Sequence, residues 1–278
     1  MWTNELMFNG GQKSNLKYLF WNTHHNKKIN DILSEIIIEN DISIVLLAEY
    51  TANESELIEK LAIQNIGIQE YGSCSDRIKI FGRIKNIQYR TDTDHAVIRI
   101  INDKDILCCV HLNSKIYSDH ENYREILIEE IIKDIQDVEK ELMTENTIVV
   151  GDFNINPYDS SLINARYFHG LPIYEDAKRK SRVIAGKKYY MFYNPMWNLL
   201  GDFQQPYGTY YYSGSNLVNT YWNMYDQVII RPALRKRFVN DSLIIIQETK
   251  TRYLLDRNGH PDKKISDHLP IVFEIKEE

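Results

Sequence analysis

Eight polar residues of the chain stand at or just beyond the ends of apolar segments, where they are placed to do chemistry. They are carboxylates, amides and two histidines, with no cysteine among them: Asn22, Glu49, His111, Asp152, Asn154, Asp226, Asp267 and His268. Oxygen donors of this kind favour a hard cation such as Mg²⁺ or Mn²⁺ over a structural zinc ion. Because a magnesium site usually completes its ligand shell with substrate phosphate, the set indicates hydrolysis of a phosphate ester.

The first elements of the chain predict how two of these residues meet. The apolar runs 16–21 and 42–48 predict strands that end at Asn22 and Glu49. Isoleucine and leucine at three- and four-residue spacing within 29–37 predict a helix that lies on the sheet between these strands. Parallel neighbours joined by a helix end at the same sheet edge, where α/β sites collect. We therefore expect Asn22 and Glu49 to lie side by side.

Strands and helices alternate along the rest of the chain. Apolar, often β-branched runs predict further strands at 78–81, 84–89, 95–101, 106–112, 147–150, 228–230, 242–246 and 270–275. The capping sequence Ser118 to Glu121 predicts the start of a long helix whose apolar stripe reaches Leu142. No internal repeat or Pro/Gly/Ser-rich linker marks a boundary. We therefore predict an α/β protein with an N-terminal extension, 1–14, and a single domain, 15–278.

Composition narrows the class of protein. The 278 residues carry 33 Lys and Arg against 39 Asp and Glu, which gives a net charge of −6. This balance disfavours a high-affinity duplex binder without excluding one. Three cysteines, two of them adjacent at 108 and 109, form neither a disulfide framework nor a metal-finger spacing. No stretch approaches the roughly 18 apolar residues of a membrane helix. We expect a soluble cytoplasmic protein without membrane insertion.

The polar strand ends resemble the motifs of the endonuclease/exonuclease/phosphatase superfamily, which includes DNase I, exonuclease III, AP endonucleases, inositol polyphosphate 5-phosphatases and neutral sphingomyelinases. The matching segments occur in family order: Trp21-Asn22, Leu47-Ala48-Glu49, His111-Leu112, Gly151-Asp152-Phe153-Asn154, Tyr225-Asp226-Gln227-Val228-Ile229 and Ser266-Asp267-His268-Leu269-Pro270. The resemblance implies a two-sheet α/β sandwich with helices on the outer faces, a four-layer fold like that of DNase I. It also implies a metal-dependent phosphoric ester hydrolase with its site at one edge of the sandwich.

The resemblance also implies roles for a metal site and a water. Glu49 would be the main ligand of a Mg²⁺ or Mn²⁺ ion, with Asn22 and Asp267 beside it. The ion would polarise the scissile phosphate and neutralise charge on the leaving oxygen. Asp152 would orient and deprotonate the attacking water, helped by Asn154.

The remaining roles implied by the resemblance concern the phosphate. Protonated His268, oriented by Asp226, would bind a non-bridging oxygen and stabilise the charge of the transition state. His111 would be either a general acid or a hydrogen-bond donor to the phosphate, and Ser114 would assist it.

The chain also departs from the family pattern. Ala48 stands where relatives commonly have Gln before the metal-binding Glu. The Tyr225-Asp226 segment lacks the Trp-Cys-Asp-Arg pattern typical of inositol 5-phosphatases, which counts against that branch. The aromatic-rich, strand-like region 187–225 either stacks bases or a flat ligand, with Trp197 and Tyr210 as substrate-binding candidates, or supplies ordinary core residues.

Several interpretations stay open at this point. Asn22 and Asn154 are either ligands or Asx-turn residues, and Asp267-His268 either serves a site or caps a strand. The leading functional hypothesis is a Mg²⁺-dependent nuclease whose partner is a phosphate-containing substrate, nucleic acid. The alternatives are a phosphatase or phosphodiesterase of a small molecule or lipid headgroup, and an inactive binding module. No obligate protein partner is inferred.

Overall fold

The computed structural model describes residues 15–114, 120–216 and 219–277. The predicted extension 1–14 lies outside this range, as do Ser118 and Asp119 of the predicted helix start.

Among the described residues the chain forms strands β1 to β17. They are β1 Leu16–Asn22, β2 Ile44–Ala48, β3 Gln69–Glu70, β4 Ile78–Gly82, β5 Ile87–Asp92, β6 Ala96–Ile101, β7 Asp105–His111, β8 Thr147–Asp152, β9 Gly170–Leu171, β10 Ser181–Ile184, β11 Lys187–Tyr190, β12 Phe192–Tyr193, β13 Tyr210–Tyr211, β14 Trp222–Asn223, β15 Asp226–Ile230, β16 Ile244–Ile245 and β17 Ile271–Ile275. The α-helices are α1 Asn30–Glu39, α2 Glu54–Ile63, α3 His120–Leu142, α4 Ser160–Ile163 and α5 Tyr174–Ala177. Short 3₁₀ helices cover Pro195–Leu199, Pro232–Lys236 and Asn240–Ser242.

The first sheet has six strands in the order β16-β17-β1-β2-β4-β3. β1 and β2 are parallel and in register from Tyr18 opposite Ile44 to Asn22 opposite Ala48, while β17 runs antiparallel to β1. The predicted parallel pair is therefore confirmed. Asn22 and Glu49 come to the same edge because α1 returns the chain between the two strands.

The second sheet has seven strands in the order β5-β6-β7-β8-β15-β12-β9. β7 and β8 are parallel, and β15 runs antiparallel to β8. His111 lies opposite Asp152, and Asp152 lies opposite Asp226. Since register partners on neighbouring strands point to the same face, these three side chains form a row at the end of the sheet.

Strand β7 shows how the two sheets and the helices share the core. Leu107 and Cys109 belong to the apolar cluster between the sheets, whereas Ile106, Cys108 and Val110 pack in a second cluster with α3. Buried residues of α1 and α2 cover the outer face of the first sheet. The layers are thus helix, sheet, sheet, helix, and the predicted four-layer α/β sandwich is confirmed.

Two regions differ from the sequence predictions. Helix α2 was not predicted, although its N-cap Asn53 accepts a hydrogen bond from Glu56 N at 3.2 Å and its Leu57 and Leu61 are buried. Region 187–225 contains only short strands of two to four residues and one 3₁₀ helix. Its prolines at 195 and 206 cannot donate to a strand ladder and so interrupt strand pairing where they stand. Among the described residues, none of the helices combines the length and apolar character needed to cross a membrane.

Candidate active site

A cleft of about 920 Å³ opens at the edge where the two sheets meet, beside the row of His111 and Asp152. Eight of the eleven residues that the sequence singled out line it: Glu49, His111, Ser114, Asp152, Asn154, Tyr210, Asp267 and His268. Asn22 and Asp226 lie behind these residues, within hydrogen-bond distance of them. The folded chain therefore brings together residues that are far apart in sequence.

Asn22 links the two sheets through its side-chain amide. Its Nδ2 donates to Glu49 Oε1 at 3.3 Å and to Asp152 Oδ2 at 3.0 Å, and its Oδ1 accepts from His24 N at 3.0 Å. Asn22 is thus an Asx-turn residue and a bridge between two carboxylates at once. In this orientation the amide nitrogen faces the carboxylates, so a metal-ligand role requires the amide to turn and present its oxygen.

Asp152 ends β8 in a buried, well-ordered environment, with 1% of its surface exposed. Oδ1 accepts from Asn154 N at 2.9 Å, and Oδ2 accepts from Asn154 Nδ2 at 3.1 Å. The preceding Gly151 cannot be replaced without a clash, because a Cβ there would lie 1.9 Å from the carbonyl oxygen of Val110. The Gly-Asp-Phe-Asn sequence therefore fixes both the close strand approach and the direction of the Asp152 carboxylate.

His268 forms a buried ion pair with Asp226. Its Nδ1 lies 2.8 Å from Asp226 Oδ2, and its Nε2 points toward Asp152 Oδ2 at 3.9 Å. Its backbone is held by the indole of Trp21, which donates to His268 O at 2.9 Å, and by Ser266 Oγ, which accepts from His268 N at 3.1 Å. A buried imidazole held on both backbone and ring has little freedom to turn.

The electrostatics of this pair keep the imidazole charged. Burial alone would lower the pKa of His268, but the carboxylates around it, Asp226 first and then Asp152, raise it above its usual range. Burial raises the pKa of Asp226, and His268 opposes that effect. His268 is therefore a protonated, positively charged donor near neutral pH.

His111 lies between the carboxylates of Glu49 and Asp152. Its Nε2 is 3.4 Å from Glu49 Oε1 and 3.8 Å from Asp152 Oδ2, while its buried Nδ1 has no hydrogen-bond partner among the described residues. Burial raises the pKa of Glu49, but His111 and Asn22 outweigh it and lower the value to about 2. Glu49 is therefore ionised over the whole working pH range.

Two places at this edge offer ligands for a cation. Asp152, Asp226 and His268 have one candidate ligand atom each within 4.8 Å of the others, the only such group of three among the described residues. A ring that is protonated and paired with Asp226 is a poor ligand, so we favour the more open carboxylates of Glu49 and Asp267. Asp267 Oδ1 forms no hydrogen bond with a described residue, although the imidazoles of His24 and His268 lie 3.2 Å and 3.9 Å from it. The donor chemistry of Glu49 and Asp267 fits a hard divalent cation.

Two histidines beside these carboxylates were missed by the sequence analysis. His25 Nε2 lies 3.2 Å from Glu49 Oε2, and His24 Nδ1 lies 3.2 Å from Asp267 Oδ1. Both have a positive φ near 50°, as do Glu49 and Asn154. Residues in this conformation are uncommon and concentrate at functional sites. The pair of adjacent histidines at 24 and 25, two residues after Asn22, was the available signal.

The aromatic candidates occupy different positions. Tyr210 lines the cleft, with its ring stacked on Tyr225 at 5.2 Å and 4.8 Å from the His268 ring. Trp197 does not line the cleft, but lies edge-on to Tyr158, which does, at 6.5 Å. Tyr210 can therefore contact a substrate directly, whereas Trp197 is connected to the cleft only through Tyr158.

No family model matches the chain, and no curated protein sequence does. Solved structures are similar in fold. An AP endonuclease from Archaeoglobus fulgidus superposes with a TM-score of 0.56 at 15% identity, covering 94% of this chain and 100% of that one. The 3′-5′ exonuclease NExo from Neisseria meningitidis has a TM-score of 0.57 at 15% identity, with the same coverage. The D. rerio TDP2 complexed with a single-strand DNA product has a TM-score of 0.52 at 15% identity, covering 95% and 100%. The chain thus shares its fold with these three structures, and this is the fold that the resemblance of its ordered motifs implies.

Proposed function

We propose that the protein is a metal-dependent phosphodiesterase that cleaves nucleic acid. One observation carries the proposal: the strand registers place His111, Asp152 and Asp226 in one row, directly beside Glu49, Asp267 and His268. A buried carboxylate, a charged imidazole and ionised carboxylate ligands at one sheet edge are the groups that phosphodiester hydrolysis requires.

Glu49 and Asp267 would hold a Mg²⁺ or Mn²⁺ ion, with Asn22 joining them if its amide turns. When bound, the ion supplies positive charge next to the phosphate and the leaving oxygen. Glu49 suits this role because its pKa of about 2 leaves it ionised without competition from protons.

Asp152 is placed to take a proton from the attacking water. Its two oxygens already accept hydrogen bonds from the amides of Asn22 and Asn154, which fix the plane of the carboxylate. A water bound to Asp152 would therefore approach the phosphate in a defined direction, and that orientation supplies part of the rate acceleration.

His268 and His111 would contact the phosphate itself. The charged His268 ring, aligned by Asp226, would donate from Nε2 to a non-bridging oxygen, where negative charge grows in the transition state. His111 would donate from Nε2 to the phosphate or the leaving oxygen, and Ser114 lines the same wall.

Nucleic acid is the substrate class that the neighbours support, since the structures of similar fold are described as an AP endonuclease, an exonuclease and TDP2 with single-strand DNA. The aromatic side of the cleft, with Tyr210, Tyr225 and Tyr158, offers surfaces on which bases stack.

A specific observation favours a second candidate, a phosphodiesterase of a small molecule. The cleft has one described arginine or lysine, Arg77, and five carboxylates. The carboxylates are those of Glu49, Asp94, Asp152, Asp159 and Asp267. A long polyanion gains little from such a lining, so this candidate is kept as the alternative.

A substrate panel tests the proposal. Single- and double-stranded DNA, RNA, inositol phosphates, sphingomyelin and a bis-aryl phosphodiester are each incubated with Mg²⁺, Mn²⁺ or EDTA. Cleavage of a nucleic acid that requires the cation and is lost in Asp152→Asn supports it, with exposed Asp76→Asn as the matched control. Full activity in EDTA after dialysis would overturn the metal mechanism, and cleavage of a small phosphodiester alone would favour the alternative.

A further inference from the structure

We propose that a second groove, beside the cleft, binds the sugar-phosphate backbone of a single-stranded nucleic acid beyond the scissile phosphate. The inference rests on the proposed function and specifies its substrate. The groove has a volume of about 880 Å³ and lies between the segment from Tyr211 to Ser213 and the loop 255–264. Asp267 lines both the groove and the cleft, so the two spaces lie next to each other.

The hairpin strand β13 separates the two spaces. Tyr210 and Tyr212 line the cleft, whereas Tyr211 and Ser213 line the groove. This division follows from the alternation of side chains along an extended segment. A chain that occupies the cleft can therefore continue past Asp267 into the groove along the other side of the same segment.

Three cations line the groove, together with the carboxylates of Asp256, Asp262 and Asp267, whereas Arg77 is the only described arginine or lysine in the cleft. Arg257, Lys263 and Lys264 are exposed along the groove and form no ion pair with a described residue. The two carboxylates of the same loop accept hydrogen bonds from its backbone and form no ion pair with these cations. Asp256 Oδ1 accepts from Asn258 N at 2.8 Å and from His260 N at 3.0 Å, and Asp262 Oδ1 accepts from Lys264 N at 3.0 Å. The free cations therefore offer contacts for phosphates.

The loop holds these cations on a rigid support. Asp256 N donates to His260 O at 2.7 Å, and Asp262 N donates to Leu254 O at 2.8 Å. Asn26, in the loop after β1, donates from Nδ2 to Ile265 O at 2.9 Å. A site that is already ordered loses less conformational entropy when a ligand binds.

Aromatic rings beside the cations favour a single strand over a duplex. Tyr211 and His260 stack at 3.5 Å with an interplanar angle of 10°, and Trp222 lies edge-on to Tyr211 at 5.4 Å. Cations along a groove together with half-exposed aromatic rings are the usual surface for single-stranded nucleic acids. The net charge of −6 disfavours high-affinity binding of a duplex.

Fluorescence anisotropy of labelled decanucleotides tests the groove. Binding of dT₁₀, rU₁₀ and a ten-base-pair duplex is measured for the Asp152→Asn protein, with and without Arg257→Gln/Lys263→Gln/Lys264→Gln. The matched control carries Lys85→Gln/Lys187→Gln/Lys188→Gln, which removes three exposed cations that line neither space.

We expect the groove variant, but not the control, to bind the single strands at least tenfold more weakly at low salt. The slope of log K against log salt concentration should become shallower by about 2, since each phosphate contact to a single strand contributes about 0.7. Comparing dT₁₀ with rU₁₀ shows which backbone is preferred. Equal effects of the two triple variants, or duplex bound as tightly as the single strands, would overturn the inference.

A kinetic arm separates this inference from the proposed function. In the otherwise unmodified chain, the groove variant should lower the ratio of kcat/KM for dT₁₀ to that for bis(4-nitrophenyl) phosphate at least tenfold. An unchanged ratio would count against the groove. If the unmodified chain hydrolyses neither compound, the proposed function fails, while the anisotropy result still decides whether the groove binds.

Discussion

Replacing Asp226 by asparagine is expected to discharge His268 without displacing it. The two side chains are buried and 2.8 Å apart, and Asn Oδ1 retains the ability to accept from His268 Nδ1. Two opposite charges about 4 Å apart attract each other by about 4 kcal/mol at an effective dielectric constant of about 20. At about 1.4 kcal/mol per pKa unit, losing this attraction lowers the pKa of His268 by roughly two to three units.

The sign of the effect on activity follows from the charged form that we assign to His268. The carboxylates raise its pKa, so the unmodified enzyme should keep its kcat well into the alkaline range. In Asp226→Asn the remaining carboxylates, Asp152 and Asp267, are each 3.9 Å from Nε2 and compensate only in part. The alkaline limb of kcat should therefore move to lower pH, and most activity should survive on the acid side of the new limb.

Two measurements check this prediction. Proton-carbon NMR titration of the His268 ring reports its pKa directly in the metal-free protein, and a pH series of kcat reports the limb under saturating metal. Asp256→Asn, on an exposed loop, serves as the charge-matched control. An unchanged His268 titration would refute the electrostatic reasoning. A uniform loss of kcat at every pH would mean that Asp226 only orients the ring.

The remaining predictions concern the metal, the water and the stability of the fold. Glu49→Ala should weaken Mn²⁺ binding by at least tenfold in calorimetry while leaving the melting temperature nearly unchanged, and an identical metal titration would rule out its ligand role. Asp152→Asn should lower kcat by on the order of 10² or more at little cost in substrate affinity, as measured by steady-state kinetics and anisotropy. Asp105→Asn should lower the free energy of unfolding in urea by about 3–5 kcal/mol, because it removes the buried carboxylate charge that two 2.6 Å contacts join to the guanidinium of Arg237. The exposed pair of Glu145 and Lys180 is the control, and Glu145→Gln should cost about 1 kcal/mol or less. Burial is the main cause that lowers the pKa of His169 to about 4. As the pH falls from about 6.5 to 4, only the unfolded chain takes up a proton at this residue, so the free energy of unfolding should decrease. His169→Gln should flatten that part of the stability curve, and identical curves would contradict the assignment.

The sequence predicts the fold best where local pattern and topology agree. The strand, helix and strand from Leu16 to Ala48 form a parallel pair because a helical stripe separates two apolar runs. The same local signals cannot give the register between distant strands. The row of His111, Asp152 and Asp226 depends on three strands that pair across long stretches of chain, and only the resemblance of the motifs anticipated it.

What the sequence did not predict depends on tertiary contacts. The orientation of the Asn22 amide follows from two carboxylates supplied by different strands. His24 faces Asp267 and His25 faces Glu49 because the backbone after β1 adopts a left-handed conformation. The loop 255–264 looks like an ordinary charged turn in sequence, and only the fold shows that Arg257, Lys263 and Lys264 lie along one groove.

The negative charge around the cleft implies that the proposed metal would assist substrate binding as well as catalysis. Glu49, Asp152 and Asp267 repel an approaching phosphate, and Arg77 is the only described arginine or lysine in the lining. His268 carries a positive charge, but Asp226 already compensates it. A cation that offsets Glu49 and Asp267, or groove cations that hold the chain outside, would therefore favour the entry of an anionic substrate. Removing the metal should weaken the binding of a small phosphodiester more than the binding of a decanucleotide. The decanucleotide would keep its contacts to Arg257, Lys263 and Lys264.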